Sequence, residues 1–208
     1  MHIAEGALRP EILAVGWAAG AAALAASLAT LKNEEIPKTA ACSALFFVAS
    51  FIHIPIGVTS VHLILNGVIG ALIGFRAFAA IGAALIMQAL LFGYGGVSVY
   101  GVNLCVLTLP SLLGWALFSL IPQAALGRRD ACFWRKRIIW FLIGFLPVLS
   151  GAILLAFVLA INGEGFIDAA KLAFLAHLPI AAIEGVITLL ALDFIERVRP
   201  ELTAKRAK

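Results

Sequence analysis

Apolar residues run along this chain in seven long blocks, at about 12–31, 39–54, 61–75, 77–92, 102–126, 138–161 and 171–195, parted by short polar connections. Several blocks are long enough to cross a bilayer, which takes roughly 20 apolar residues in a helix. The pattern predicts an all-α integral membrane protein of seven transmembrane helices. One transmembrane domain covers residues 1–208, with an amino-terminal segment at 1–9 and a basic tail at 196–208. The third and fourth blocks are short. The connections Pro55-Ile56-Gly57-Val58 and Gly93-Tyr94-Gly95-Gly96 beside them are rich in Gly and Pro. Non-helical backbone at membrane depth needs cover from protein or a cavity to line. These turns are therefore expected to dip inward and wall a pocket.

The basic residues set an orientation. With the amino terminus outside, the cytoplasmic side receives Lys32, Lys38, Arg76, the cluster Arg128, Arg129, Arg135, Lys136 and Arg137, and the tail residues Arg197, Arg199, Lys205, Arg206 and Lys208. Arg9 and Lys171 alone fall outside, as the positive-inside rule favours. Met1-His2 and the turns at 53–61, 93–102 and 162–170 then share the outer side, where sparse positive charge favours an arriving cation. The chain is 63% hydrophobic and 12% charged, too little polar surface for a soluble domain. Its net charge of +4 is spent on topology, so no nucleic-acid partner is expected. Cys42, Cys105 and Cys132 form no Cys-x-x-Cys motif and read as buried spectator thiols. The first residues lack the basic start of a secretory signal. His2 is bulky, so Met1 is expected to be retained.

Met1-His2 carries the candidate chemistry. A free α-amine, the His2 amide nitrogen and the His2 imidazole can close two fused chelate rings on one cation, a donor set suited to nickel, cobalt or copper. His53 and His62 lie nine residues apart across the bend Phe51–His62 and can converge near the amino terminus. Alternatively, these imidazoles hold loop carbonyls. Gln88 and Asn103 flank the Gly-rich turn; they either tie bent backbone together or, with Ser60, support a ligand imidazole. Asn66, His177 and Glu184 also lie within apolar blocks, where each is costly unless paired. His177 and Glu184 share one helix face, and Glu184 reads as a lock between helices. Glu5 reads as a favourable charge at the start of the first helix. Small residues recur at every fourth position of that helix, at Ala14, Ala18, Ala22 and Ala26 and at Gly16 and Gly20. Such a face either packs internally or docks another membrane subunit.

An intramembrane hydrolase using Ser60 with His62 or His53 is the alternative. Ser60 and His62 are too close along the chain for an obvious nucleophile–base pair, and no Gly-x-Ser-x-Gly occurs. A passive channel would need a continuous polar path that the apolar blocks do not supply.

Four blocks in order resemble the CbiM/NikM family, the substrate-capturing membrane subunits of cobalt/nickel energy-coupling-factor transporters. They are Met1-His2-Ile3-Ala4-Glu5-Gly6; Gly57-Val58-Thr59-Ser60-Val61-His62-Leu63; Gln88-Ala89-Leu90-Leu91-Phe92-Gly93 with Gly95-Gly96 and Gly101-Val102-Asn103; and His177-Leu178-Pro179-Ile180-Ala181-Ala182-Ile183-Glu184-Gly185 with Arg197-Val198-Arg199-Pro200-Glu201-Leu202. The resemblance implies seven helices with the amino terminus tucked into the bundle. It implies a Co²⁺ or Ni²⁺ substrate held by the Met1 amine, the His2 amide and imidazole, and His62. It also implies a transmembrane coupling protein, two cytoplasmic ATPase subunits, sometimes a small accessory membrane subunit, and a bacterial or archaeal plasma membrane. The chain itself carries no Gly-x-x-x-x-Gly-Lys-Ser/Thr loop and is expected to be no enzyme. Leu63-Ile64-Leu65 follows His62 where members often carry Pro-Thr-Gly, and His53 could add a fifth donor.

Overall fold

The computed structural model describes residues 2–51, 53–56, 59–121 and 133–203, with backbone alone at 53–56, 59–60, 133, 201 and 203. Met1, Arg128, Arg129, Cys132, Lys205, Arg206, Lys208 and the side chains of His53 and Ser60 lie outside the described residues.

Helix α1 (Pro10–Ala29) begins with Pro10 in its first turn, where the missing N–H costs nothing. Next come α2 (Ile36–Ala49), a hairpin of β1 (His53–Ile56) and β2 (Thr59–His62), α3 (Asn66–Ile73) and α4 (Ala77–Phe92). After these follow α5 (Tyr100–Thr108), α6 (Ser111–Ser119), α7 (Phe133–Asn162), α8 (Ile167–Val198) and the short α9 (Pro200–Thr203). Among the described residues, five stretches are long and apolar enough to cross a membrane: Pro10–Ala29, Asn66–Phe92, Tyr100–Ser119, Trp134–Asn162 and Glu164–Val198. Large apolar side chains such as Val15, Leu90, Phe157, Leu190 and Phe194 point out of the bundle, as lipid contact allows.

The expected boundaries change in three places. The blocks at 39–54 and 61–75 are not continuous helices: α2 stops at Ala49, the antiparallel hairpin intervenes, and α3 begins only at Asn66. Ile54, Ile56, Thr59 and Val61 are β-branched and Pro55 and Gly57 interrupt them, a mixture that suits short strands. Hydropathy alone scores such a run like a helix. The block at 102–126 breaks at Leu109-Pro110 into α5 and α6, because Pro lacks the N–H a continuing helix needs. Helices α7 and α8 overrun the blocks at 138–161 and 171–195 at both ends.

Close approach shapes the bundle. A Cβ on Gly20 would meet the Gly101 carbonyl oxygen at 2.8 Å, and one on Gly101 would meet Trp17 Cα at 2.5 Å, so α1 and α5 touch backbone to backbone. Gly16 and Gly20 thus form the inward face of α1, whereas Ala14, Ala18, Ala22 and Ala26 are all exposed. The larger apolar core of the described residues includes Phe46, Ile64, Phe78, Ile81, Leu104, Leu107 and Leu155, and a second gathers around Trp140 and Ile143. Ile3 and Leu8 belong to the larger one, so the amino-terminal segment is packed as core.

The two ends of the bundle differ chemically. At one end the start of α1 meets the end of α7: the Arg9 amide donates to Asn162 Oδ1 (2.8 Å) and Asn162 Nδ2 donates to the Ala7 carbonyl (2.8 Å). The ends of α2 and α4 meet there too, through Phe47 and Phe51 against Phe92. The opposite end holds Arg76, paired with Glu35 at 3.1 Å, and Lys38, which donates to the Leu202 carbonyl at 3.0 Å. It also holds the buried Lys136–Glu196 pair at 2.8 Å, with Lys136 Nζ 5.0 Å from the Trp140 ring centre.

Candidate metal centre

The segment from His2 to Arg9 has little regular structure, so its backbone polar groups must find partners elsewhere. Asn103 supplies two. The Ile3 amide donates to Asn103 Oδ1 at 2.8 Å, and Asn103 Nδ2 donates to the Ile3 carbonyl at 3.0 Å. A reciprocal amide clamp of this kind satisfies both polar groups of a fully buried residue. One step further, the Glu5 amide donates to the Gly95 carbonyl at 3.0 Å, and the Glu5 carboxylate accepts from the Ser98 amide at 3.1 Å. Gly95 and Gly96 sit at φ +80° and +144°, and any Cβ on Gly96 would run into Glu5. Glu5 therefore closes a clip on the Gly-rich loop.

These restraints bury His2, at 3% exposure, beside His62 at 2%. Their rings stack with centroids 4.7 Å apart and planes 21° apart. Aromatic rings close the surroundings: Tyr94 stacks toward His2 at 6.5 Å, and Phe46 meets His62 edge-on at 6.3 Å. His62 Nδ1 lies 2.6 Å from the Leu63 carbonyl oxygen. A carbonyl accepts only, so Nδ1 carries the proton and Nε2 keeps the lone pair. In its neutral form an imidazole presents one lone-pair nitrogen, the donor type a transition metal takes.

The other candidates fall into separate places. His53 stands opposite His62 in the hairpin register, and Ser60 opposite Pro55. Gln88 is fully buried and donates to the Ser50 hydroxyl at 2.7 Å, tying α4 to the end of α2. Glu184 accepts from the Ile64 and Leu65 amides, so its lock runs from α8 to the loop after His62. His177 donates Nδ1–H to the Ala173 carbonyl of its own helix at 2.6 Å. Asn66 donates to the Leu107 carbonyl at 2.9 Å. Cys42 and Cys105 are free thiols. Among the described residues no group of three His, Cys, Asp or Glu side chains gathers. Sequence reasoning passed over Tyr94, Phe46 and Asn162. An Asn closing an apolar block just before Gly163 was the one available signal for the last.

The fold and this pocket define a multi-pass helical membrane protein with a buried imidazole pair at one end of its bundle. The chain belongs to the CbiM family, described as the cobalt uptake substrate-specific transmembrane region, which it matches over residues 2–202. A Haemophilus influenzae protein provisionally named for metal transport is 35% identical over 203 residues, covering 97% of this chain and 96% of its own. The fused nickel transport protein NikMN of Rhodobacter capsulatus is 30% identical over 99% of this chain, which spans 65% of that longer protein. A crystal structure described as a truncated transition metal transporter superposes with a TM-score of 0.78 at 25% identity, covering 95% of this chain and 99% of the other. The family and these relatives are transport proteins, and the hydrolase alternative finds no support among them.

Proposed function

We propose that this chain captures Co²⁺ or Ni²⁺ as the substrate-specific component of an energy-coupling-factor uptake transporter. The observation that carries this reading is the stacked pair His2–His62, with centroids 4.7 Å apart. With modest rotation about their side-chain bonds, rings this close can each turn an in-plane nitrogen to one ion, at metal–nitrogen bonds of about 2 Å. The Met1 amine and the His2 amide nitrogen complete a four-nitrogen set, and His53, across the hairpin from His62, is a fifth donor that would ease cobalt binding. Asn103 supports the His2 arm, Gln88 ties the ends of α4 and α2 beside it, and Ser60 is proposed to support a ligand imidazole.

Seven crossings are compatible with the order of elements if α2 and α3 count as short spans. The paired basic residues Lys38, Arg76 and Lys136 cluster away from the imidazoles, which supports an outer site, an outer amino terminus and a cytoplasmic carboxyl terminus in the plasma membrane. Energy comes from a transmembrane coupling protein and two cytoplasmic ATPase subunits, with a small accessory membrane subunit in some assemblies. The exposed row Ala14, Ala18, Ala22 and Ala26 is the face proposed to meet the coupling protein.

The test is direct titration of Ni²⁺ and Co²⁺ into purified protein. His2→Ala, His62→Ala and an Ala added before Met1 should each weaken binding at least tenfold, about 1.4 kcal/mol. Unchanged binding in the extended protein would remove the amine from the donor set.

A further inference from the structure

Glu184 stands in the middle of α8, fully buried, and it spends its carboxylate on backbone. Its Oε1 accepts from the Ile64 amide, and both oxygens accept from the Leu65 amide at 3.0 Å. Leu65 holds φ +54°, the one positive value at a non-glycine residue among those described. A leucine keeps that conformation only where surrounding structure holds it. Carboxylate hydrogen bonds on either side of the Ile64 unit do so here.

One peptide group links this anchor to the pocket. The Leu63 carbonyl and the Ile64 N–H belong to the same planar unit. Its oxygen accepts the proton of His62 Nδ1 at 2.6 Å, and its N–H is held by Glu184. The order is imidazole, peptide, carboxylate. A metal-bound histidine commonly gives its second ring N–H to a carboxylate or carbonyl, which sets tautomer, ring orientation and basicity. Here a carboxylate does this through an intervening peptide, and polarising that peptide makes its oxygen a better acceptor.

We infer that Glu184 is a positioning residue for the ion: through the Leu63–Ile64 peptide it fixes the tautomer and direction of His62, so that Nε2 is the nitrogen presented to the metal. This rests on the reading of His62 as a ligand. It gives a buried acid on α8, 120 residues further along the chain than Ile64, a purpose beyond tying helices together.

The experiment titrates Ni²⁺ into the full-length protein, following heat and the visible absorption of the complex, for the parent, Glu184→Gln, Glu184→Asp, His62→Ala and the double change His62→Ala with Glu184→Gln. Gln keeps one acceptor oxygen but turns an NH2 toward an N–H, so binding should fall about tenfold and the absorption bands should move as they do in His62→Ala. In the double change, Glu184→Gln should cost nothing beyond His62→Ala, the signature of two residues acting as one. Full additivity, or parent-like affinity and spectrum in Glu184→Gln, overturns the inference. Should Glu184→Gln fail to fold, Glu184→Asp retains the charge on a shorter arm and should fold with weakened binding. Loss of folding in both would make Glu184 a structural lock and equally overturn it. Parent-like binding in His62→Ala would instead refute the ligand assignment beneath.

Discussion

Asn103 grips Ile3 from both sides: the Ile3 amide donates to its Oδ1 at 2.8 Å and its Nδ2 donates back to the Ile3 carbonyl at 3.0 Å. Ile3 directly follows His2, so this clamp sets the position of the first imidazole. Removing it leaves two buried backbone groups unsatisfied, at about 1–3 kcal/mol each. Asn103→Ala should weaken Ni²⁺ binding by at least about tenfold. Asn103→Asp should do as much, because a carboxylate cannot donate to the Ile3 carbonyl. Calorimetric titration checks both, and near-parent affinity for Asn103→Asp would show that the clamp does not matter.

Binding should strengthen with pH, and the range tells which donors take part. Ligand imidazoles must be neutral, so affinity falls as pH is lowered. The α-amine and the His2 amide nitrogen must each lose a proton to bind, so with both as donors affinity keeps rising above neutral pH. A plateau above about pH 7 in a Ni²⁺ affinity profile would leave out both the amine and the amide.

The Glu5 clip should report on loop order. Gly96 has φ +144°, and a Cβ there would collide with Glu5. Gly96→Ala pays backbone strain of about 1–3 kcal/mol and opens the clip. Metal affinity should fall several-fold, with only a small drop in the unfolding midpoint of the bundle, measured by circular dichroism on heating.

The two faces of α1 should respond oppositely. Gly20→Ala forces a Cβ to 2.8 Å from the Gly101 carbonyl oxygen and should lower thermal stability by about 1–3 kcal/mol. Ala18→Leu and Ala22→Leu lie on the exposed face and should leave stability and metal binding alone. If that face meets the coupling protein, uptake by the assembled transporter should fall. Loss of metal binding in either variant would point to internal packing.

The buried Lys136–Glu196 pair offers a test confined to the opposite end. Lys136→Met removes the ammonium from the buried Glu196 carboxylate and should cost about 3–5 kcal/mol. Adding Glu196→Leu should recover most of it, as read from unfolding midpoints. Ni²⁺ affinity should stay unchanged wherever the protein folds.

Local sums were enough to read the class of this protein. Hydropathy over some twenty residues identifies membrane helices without reference to their neighbours: α1 and α4 lie close to where the apolar blocks put them, and α7 and α8 contain their blocks and extend beyond them. Residue type singles out His2 near the amino terminus and His62 in the hairpin, because imidazole brings its donor chemistry wherever it sits. Other features depended on groups far apart along the chain. The hairpin at 53–62 has the hydropathy of a helix and becomes a sheet only through pairing of its strands. Gln88 and Asn103 looked alike beside one turn, yet Gln88 binds Ser50 while Asn103 binds Ile3, a hundred residues away. The identity of a buried amide guarantees that it will be paired; the partner is whichever unsatisfied group the packed helices bring within 3 Å, and only the tertiary structure decides that.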